Sequence, residues 1–212
     1  MNMWDRVFEI CRQEIERCMS GEGLTSGVAG TSLEEPSRRS GKVFIVAIDG
    51  MCGSGKSTVA GKLQEYFGCS LFHMDDFFLQ PHQRTSQRLD APGGNVDYER
   101  FQREVLDHLT DWEGLMLQRF DCKTFSLMPA VHVPYHNIVI IEGAYSMQPY
   151  FGDVQDVRIF LESSKEGQRQ RILERNGPEK WKQFKEKWIP MEEKYFEEFG
   201  IREKCKCVKV DV

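Results

Sequence analysis

Gly50-Met51-Cys52-Gly53-Ser54-Gly55-Lys56-Ser57 sits between an apolar run, 43–48 (VFIVAI), and the start of a helical stretch, Thr58-Val59-Ala60-Gly61-Lys62-Leu63. The spacing is G-x-x-x-x-G-K-[ST]. Glycines let successive backbone N–H groups turn inward, and the nest they form lies at the positive end of a helix. That concavity suits a polyphosphate. In this pattern Lys56 reaches the outer phosphate oxygens and Ser57 ligates Mg²⁺. Gly50, Cys52, Gly53, Ser54, Gly55, Lys56, Ser57 and Thr58 are therefore the expected nucleotide-binding residues. The competing reading is a glycine-rich turn with an incidental lysine. Cys52 is either a redox switch or a small side chain in a tight turn.

Outward from this turn, short apolar runs alternate with helical periods. The runs are 43–48, 69–74 (CSLFHM), 138–141 (IVII), 157–161 (VRIFL) and 205–210 (CKCVKV). Helices are expected at about 56–67, 97–110, 165–175 and 179–199. Buried β-branched runs separated by helices imply a parallel sheet covered on both faces. Ahead of it, Trp4, Val7, Phe8, Cys11, Ile15 and Cys18 recur at three- and four-residue spacing, an amphipathic helix. Residues 20–41, rich in Gly and Ser with Pro36, read as a flexible appendage. The expected division is 1–41, helix plus appendage, and 42–212, the nucleotide-binding domain.

The 212 residues carry 28 Lys+Arg and 33 Asp+Glu, a net charge of −5. That balance argues against a nucleic-acid-coating protein, which needs a basic face. No uncharged apolar stretch approaches the ~20 residues that span a bilayer, so no membrane partner is expected. The first turns contain acids, unlike a signal or transit peptide. Seven cysteines, an odd number without Cys-x-x-Cys, point to reduced thiols and a cytoplasmic location. Homo-oligomerisation is left open.

Two acids narrow the chemistry. Asp75, in His73-Met74-Asp75-Asp76-Phe77-Phe78, follows the second run, where the carboxyl ends of strands place ligands. It either receives a proton from a substrate hydroxyl or caps a helix. Asp76 is its neighbour and second candidate. Glu142 ends the 138–141 run and either organises Mg²⁺ or orients the attacking hydroxyl. No Asn-Lys-x-Asp is present, which demotes a GTPase. The segment 79–97 follows Asp75 directly, and its Arg84 and Arg88 either grip an anionic acceptor or face solvent. Arg171 and Arg175, four apart, share a helix face before Asn176-Gly177-Pro178. They are either lid arginines that neutralise transferring charge, in a lid at about 165–180, or a solvated face paired with Glu166 and Glu174. Pro190 should interrupt the last helix.

With these residues in hand, 42 to about 210 resembles the uridine kinase-like group of phosphate-loop kinases, which also includes nicotinamide riboside kinase, phosphoribulokinase and bacterial pantothenate kinase. Met74-Asp75-Asp76-Phe77-Phe78 is similar to the Asp-Asp-Phe-Phe element of nicotinamide riboside kinases, whose first acid binds ribose hydroxyls. Arg119-Phe120-Asp121 is similar to the Tyr-Asp-Phe substrate loop of uridine kinases, and Ile141-Glu142-Gly143 to the strand-Glu-Gly element of the group. The resemblance implies a three-layer α/β P-loop NTPase fold with a five-stranded parallel sheet and a small helical lid. It implies an ATP- and Mg²⁺-dependent kinase acting on the hydroxyl of a small molecule, a ribonucleoside such as uridine or cytidine, or a related riboside. Lys56, Asp75, Glu142 and Arg171 would carry catalysis, and Asp75, Asp76, Arg84, Arg88, Phe120 and Asp121 would hold the acceptor. The alternatives are another alcohol, such as pantothenate, a sugar or a sugar phosphate, or a regulatory ATP-binding protein.

Overall fold

A computed structural model describes residues 2–21, 43–110 and 115–211. Its helices are α1 (Met3–Met19), α2 (Lys56–Phe67), α3 (Ser86–Asp90), α4 (Tyr98–Glu104), α5 (Lys165–Gln183) and α6 (Ile189–Glu198). Its strands are β1 (Phe44–Gly50), β2 (Ser70–His73), β3 (Met116–Leu117), β4 (Phe120–Asp121), β5 (Ser126–Leu127), β6 (Val131–His132), β7 (Ile138–Glu142), β8 (Val157–Glu162) and β9 (Lys206–Lys209). All five expected core strands form, and they pair in parallel in the order β2-β7-β1-β8-β9. The order puts β1, whose end carries the glycine-rich turn, in the centre. β3 pairs with β6, and β4 with β5, as antiparallel hairpin pieces over one end of the sheet.

Strand alternation sorts the apolar side chains into two cores. Ile45, Ala47, Phe72, Val139, Ile141 and Phe160 face α4 and α6. Val46, Ile48, Ile140, Ile159 and Leu161 face α1 and α2. Both faces are buried, which is why the strands read as continuous apolar runs. Helix α1 is capped by Asn2, whose side chain accepts the Asp5 N–H at 2.9 Å. Its buried Val7 and Ile15 each contribute about 2 kcal/mol, whereas the exposed Asp5–Lys62 pair at 2.6 Å adds under ~1 kcal/mol. Apolar contact therefore holds α1 to the domain. The expected appendage falls largely on 22–42, outside the described residues.

Register fixes what meets at the strand ends. Ile48 lies opposite Glu142, and Glu142 opposite His73, so three strands present one row at their carboxyl ends. Gly50 closes β1 with φ of 140°, and a Cβ there would meet the Leu161 carbonyl oxygen at 2.3 Å, so only glycine fits. The expected break after Arg175 is real: Gly177 departs from helical geometry (φ 78°, ψ 173°) inside α5. Pro190 sits in the first turn of α6, and the chain accommodates it with a π-helical stretch, Phe184–Trp188, just before. No helix among the described residues is long and apolar enough to cross a membrane.

Candidate active site

The glycine-rich turn is braced from outside. Gln168 Nε2 donates to the Cys52 carbonyl at 3.0 Å, and Arg171 Nε donates to the Gly53 carbonyl at 2.6 Å. The Cys52 N–H donates to Glu192 Oε2 at 2.8 Å. Helices α5 and α6 thus set the curvature of the turn from positions far along the chain. Gly55, at φ of 83°, starts α2 without a side-chain cap, so the first-turn amides of Lys56, Ser57 and Thr58 lack intrahelical partners. A Cβ on Gly55 would meet the Trp4 ring at 2.1 Å, so α1 also leans on the cradle. Lys56 Nζ bridges the carbonyls of Gly50 (2.6 Å) and Met51 (3.0 Å). Buried Ser54 has a hydroxyl without a partner in the cradle.

Opposite the cradle stands an acid group. Ser57 Oγ donates to Glu142 Oε1 at 3.0 Å, and His73 Nδ1 donates to the same oxygen. That bond raises the His73 pKa above its ordinary value, burial opposing. Asp75 and Asp76 lie in the 3-10 turn Met74–Phe77 that follows β2. His73 is the N-cap of this turn and makes no capping bond, so Asp75 is not a helix cap. The Asp75 side chain is exposed. Desolvation and the neighbouring Glu142 charge push its pKa up, and Lys56 pulls it down. It has no hydrogen-bond partner among the described residues. Asp76 is likewise raised by desolvation, and Arg119 Nε stands 3.5 Å from its Oδ2. Arg100, buried over the Phe77 ring, holds the turn by donating to the Asp76 carbonyl at 2.6 Å.

The six expected acceptor-binding residues divide. Asp75 and Asp76 lie in the turn against which β4 packs, and Arg84 stands over the Phe120 ring of that strand at 5.9 Å. Arg88 is corrected. Its five N–H groups are taken by the carbonyls of Gly94 and Val96, the Tyr98 hydroxyl and both Glu99 oxygens, so it staples its own loop. Asp121 is engaged within its own loop, its carboxylate accepting the Lys123 N–H (2.8 Å) and the Thr124 hydroxyl (3.0 Å) and shaping the β4–β5 turn. The lid pair also divides. Arg171 touches the cradle and donates to Asp211 Oδ1 at 2.6 Å, rather than pairing with Glu166 or Glu174. Arg175 is exposed and donates to the Asn176 side chain.

Sequence reasoning passed over His73, Asp49, Glu192 and Tyr195. Full burial pushes the Glu192 pKa up to about 7, with Lys56 and the Cys52 amide pulling back. Burial likewise lifts Asp49 to about 6, and Tyr195 donates its hydroxyl to Asp49 Oδ2 at 3.0 Å. An acid inside an apolar strand was a usable signal for Asp49; Glu192 lies in a charge-rich helix and gave none. Among the described residues no three His, Cys, Asp or Glu side chains gather around a cation position. Mg²⁺ usually takes only one or two protein oxygens and completes its octahedron with water and phosphate. The adjacent Ser57 hydroxyl and Glu142 carboxylate fit that donor set.

No protein-family model matches the chain. Among solved structures it is similar to a Bacillus stearothermophilus protein described as a possible uridine kinase, with 17% identity, TM-score 0.61, and coverage of 93% of this chain and 98% of that one. It is similar to a candidate fructose transport system kinase from Silicibacter (19% identity, TM-score 0.59, 95% and 96% covered). It is also similar to D-glycerate 3-kinase from Cryptococcus neoformans (14%, 0.56, 99% and 96%). The chain has the fold of the phosphate-loop kinases, the fold expected from its sequence.

Proposed function

We propose that the protein is an ATP- and Mg²⁺-dependent phosphotransferase whose acceptor is the hydroxyl of a small molecule. The observation that carries this reading is the Asp75 carboxylate, exposed in the turn after β2, without a hydrogen-bond partner among the described residues, and within the electrostatic reach of Glu142 and Lys56. Its raised pKa brings it closer to a proton acceptor that works near neutrality. In this reading the cradle amides hold the nucleotide's phosphates, and Lys56 exchanges its loop carbonyls for phosphate oxygens. Mg²⁺, held by Ser57 and Glu142, would neutralise charge on those oxygens. Asp75 orients the acceptor hydroxyl and receives its proton, and His73 fixes the Glu142 carboxylate. Arg171 bears on the cradle, and the break at Gly177 lets the following helix act as a lid that excludes water. The resemblance of the Asp75-Asp76 element favours a ribose-bearing acceptor, and pantothenate, sugars and sugar phosphates are the other alcohols to be tried. The seven free thiols suit a cytoplasmic enzyme.

A coupled ADP-release assay over a panel of nucleosides, sugars, sugar phosphates and hydroxy acids tests the proposal. Turnover of at least one alcohol, lost in Lys56→Ala, is the expected result. Tight ATP binding with transfer to no alcohol would favour a regulatory nucleotide-binding protein instead.

A further inference from the structure

Arg84 is an exposed residue whose guanidinium is nonetheless fixed. Its Nε donates to the Leu79 carbonyl at 2.9 Å, and its plane packs over two rings, Phe125 at 5.1 Å and Phe120 at 5.9 Å from the centroids. The two rings meet edge to face at 6.2 Å. Phe125 reaches this position with a left-handed backbone (φ 55°) while leaving 48% of its surface exposed. A non-glycine residue in that region costs on the order of 1–2 kcal/mol, so the β4–β5 turn spends stability to bring this ring to the arginine. Both terminal nitrogens of Arg84 lack an acceptor among the described residues. A planar fork held by its stem and faces, with its outer donors open, is the geometry that grips a carboxylate or phosphate in two bonds.

The rest of the cleft is compatible with an anion. Arg119 Nε at 3.5 Å offsets the Asp76 charge. Asp121, the other acid of the hairpin, is turned into its own loop and does not answer Arg84. Partial burial raises the pKa of the Cys122 thiol, the Asp75 charge adding to that and Arg84 opposing it. Arg84 packs on the Phe120 ring, and β4, which carries Phe120, packs against the Met74–Phe77 turn that carries Asp75, so one short strand touches both residues.

We infer that the acceptor alcohol carries a carboxylate or phosphate at the end remote from its reacting hydroxyl, and that Arg84, assisted by Arg119, reads that group. This rests on the kinase reading above and narrows it. A neutral nucleoside would leave the fork solvated.

The test uses the full chain and matched alcohols: glycerol against glycerate and glycerol 3-phosphate, ribose against ribose 5-phosphate, and uridine as the neutral nucleoside. The expected result is kcat/KM at least about tenfold higher for a charged member than for its neutral match, the size of one good charge-assisted contact. Arg84→Gln should raise KM for that charged acceptor about tenfold or more, leaving KM for ATP unchanged, and Arg84→Lys should fall between. Turnover of the neutral members alone, or of both equally, overturns the inference and leaves the kinase reading standing. An equal loss for both members in Arg84→Gln makes Arg84 a scaffold residue and also overturns it. Transfer to no alcohol while ATP binds removes the kinase reading and this inference together.

Discussion

The phosphate cradle occupies consecutive residues between β1 and α2, whereas the opposite wall of the cleft is collected from Asp75, Arg84, Arg119 and Phe125, on three separate segments. In the proposed reading the cradle would recognise phosphate mostly through backbone amides, which any sequence supplies once glycines permit the turn. In the same reading the opposite wall would recognise its ligand through side chains, each of which has its own support: Arg100 under the Asp76 turn, Phe120 and Phe125 around Arg84. One half is generic by construction and the other is specific. Substitutions should divide in the same way, with cradle changes touching every substrate and wall changes separating one from another.

The largest effect is expected at Lys56. Lys56→Ala removes the cation that would meet the developing charge, and loss of one such donor commonly costs ~10²–10³ in rate. Steady-state turnover should fall that far for every acceptor. Asp75→Asn comes next: turnover should drop by about 10²–10⁴, the usual contribution of a general base, with ATP affinity measured by titration unchanged. Asp76→Asn should cost much less, because Asp76 is already engaged by Arg119. Full activity in Asp75→Asn would move the proton acceptor elsewhere.

The same division explains what the sequence made legible. The cradle is contiguous, so its motif and flanking elements could be read together, and Asp75 and Glu142 were visible as acids at the ends of apolar runs. Arg88 misled because the acceptors that saturate it, Gly94, Val96, Tyr98 and Glu99, are brought to it only by the folding of its loop. Asp121 misled for a similar local reason. Glu192 was invisible since nothing in a helix of alternating charges marks the one glutamate that folding buries against Cys52. Contacts made across the fold are set by topology, and a linear pattern carries little trace of them.

Glu192 gives a prediction of intermediate size. Its folded pKa, pushed up to about 7 by burial, exceeds the ordinary value of 4.5. The folded state therefore binds more protons than the unfolded state between those values, and stability falls as pH rises through that window. The full cost, reached above pH 7, is about 3 kcal/mol for this group. Asp49, raised to about 6, adds in the same direction over a lower window. Denaturant melts at pH 5 and pH 8 should show the wild type losing stability with rising pH, and Glu192→Gln losing distinctly less. An unchanged slope in the variant would mean that Glu192 is solvated and does not brace the cradle as a buried carboxylate.

The smallest effect separates the two walls by their cysteines. Cys52 lies inside the cradle with its thiol buried, and burial pushes its pKa well above the ordinary range. Thiolate is the reactive form, so this sulfur should be inert to alkylation and oxidation. Cys52→Ala removes little volume and the weak 3.4 Å bond from Gln168 Nε2 to the sulfur, while Glu192 and Gln168 keep hold of the amide and carbonyl of residue 52. Activity should stay within about twofold of wild type. Cys122 is exposed on the opposite wall near Asp75 and Arg84, its thiol also raised but reachable. A bulky maleimide should inactivate the enzyme slowly, faster as pH rises, and Cys122→Ser should protect it where Cys52→Ala does not. If Cys52→Ala alone protected, the cradle would have to open far enough to admit the reagent, and the bracing by Gln168, Arg171 and Glu192 would be transient rather than the resting state of the loop.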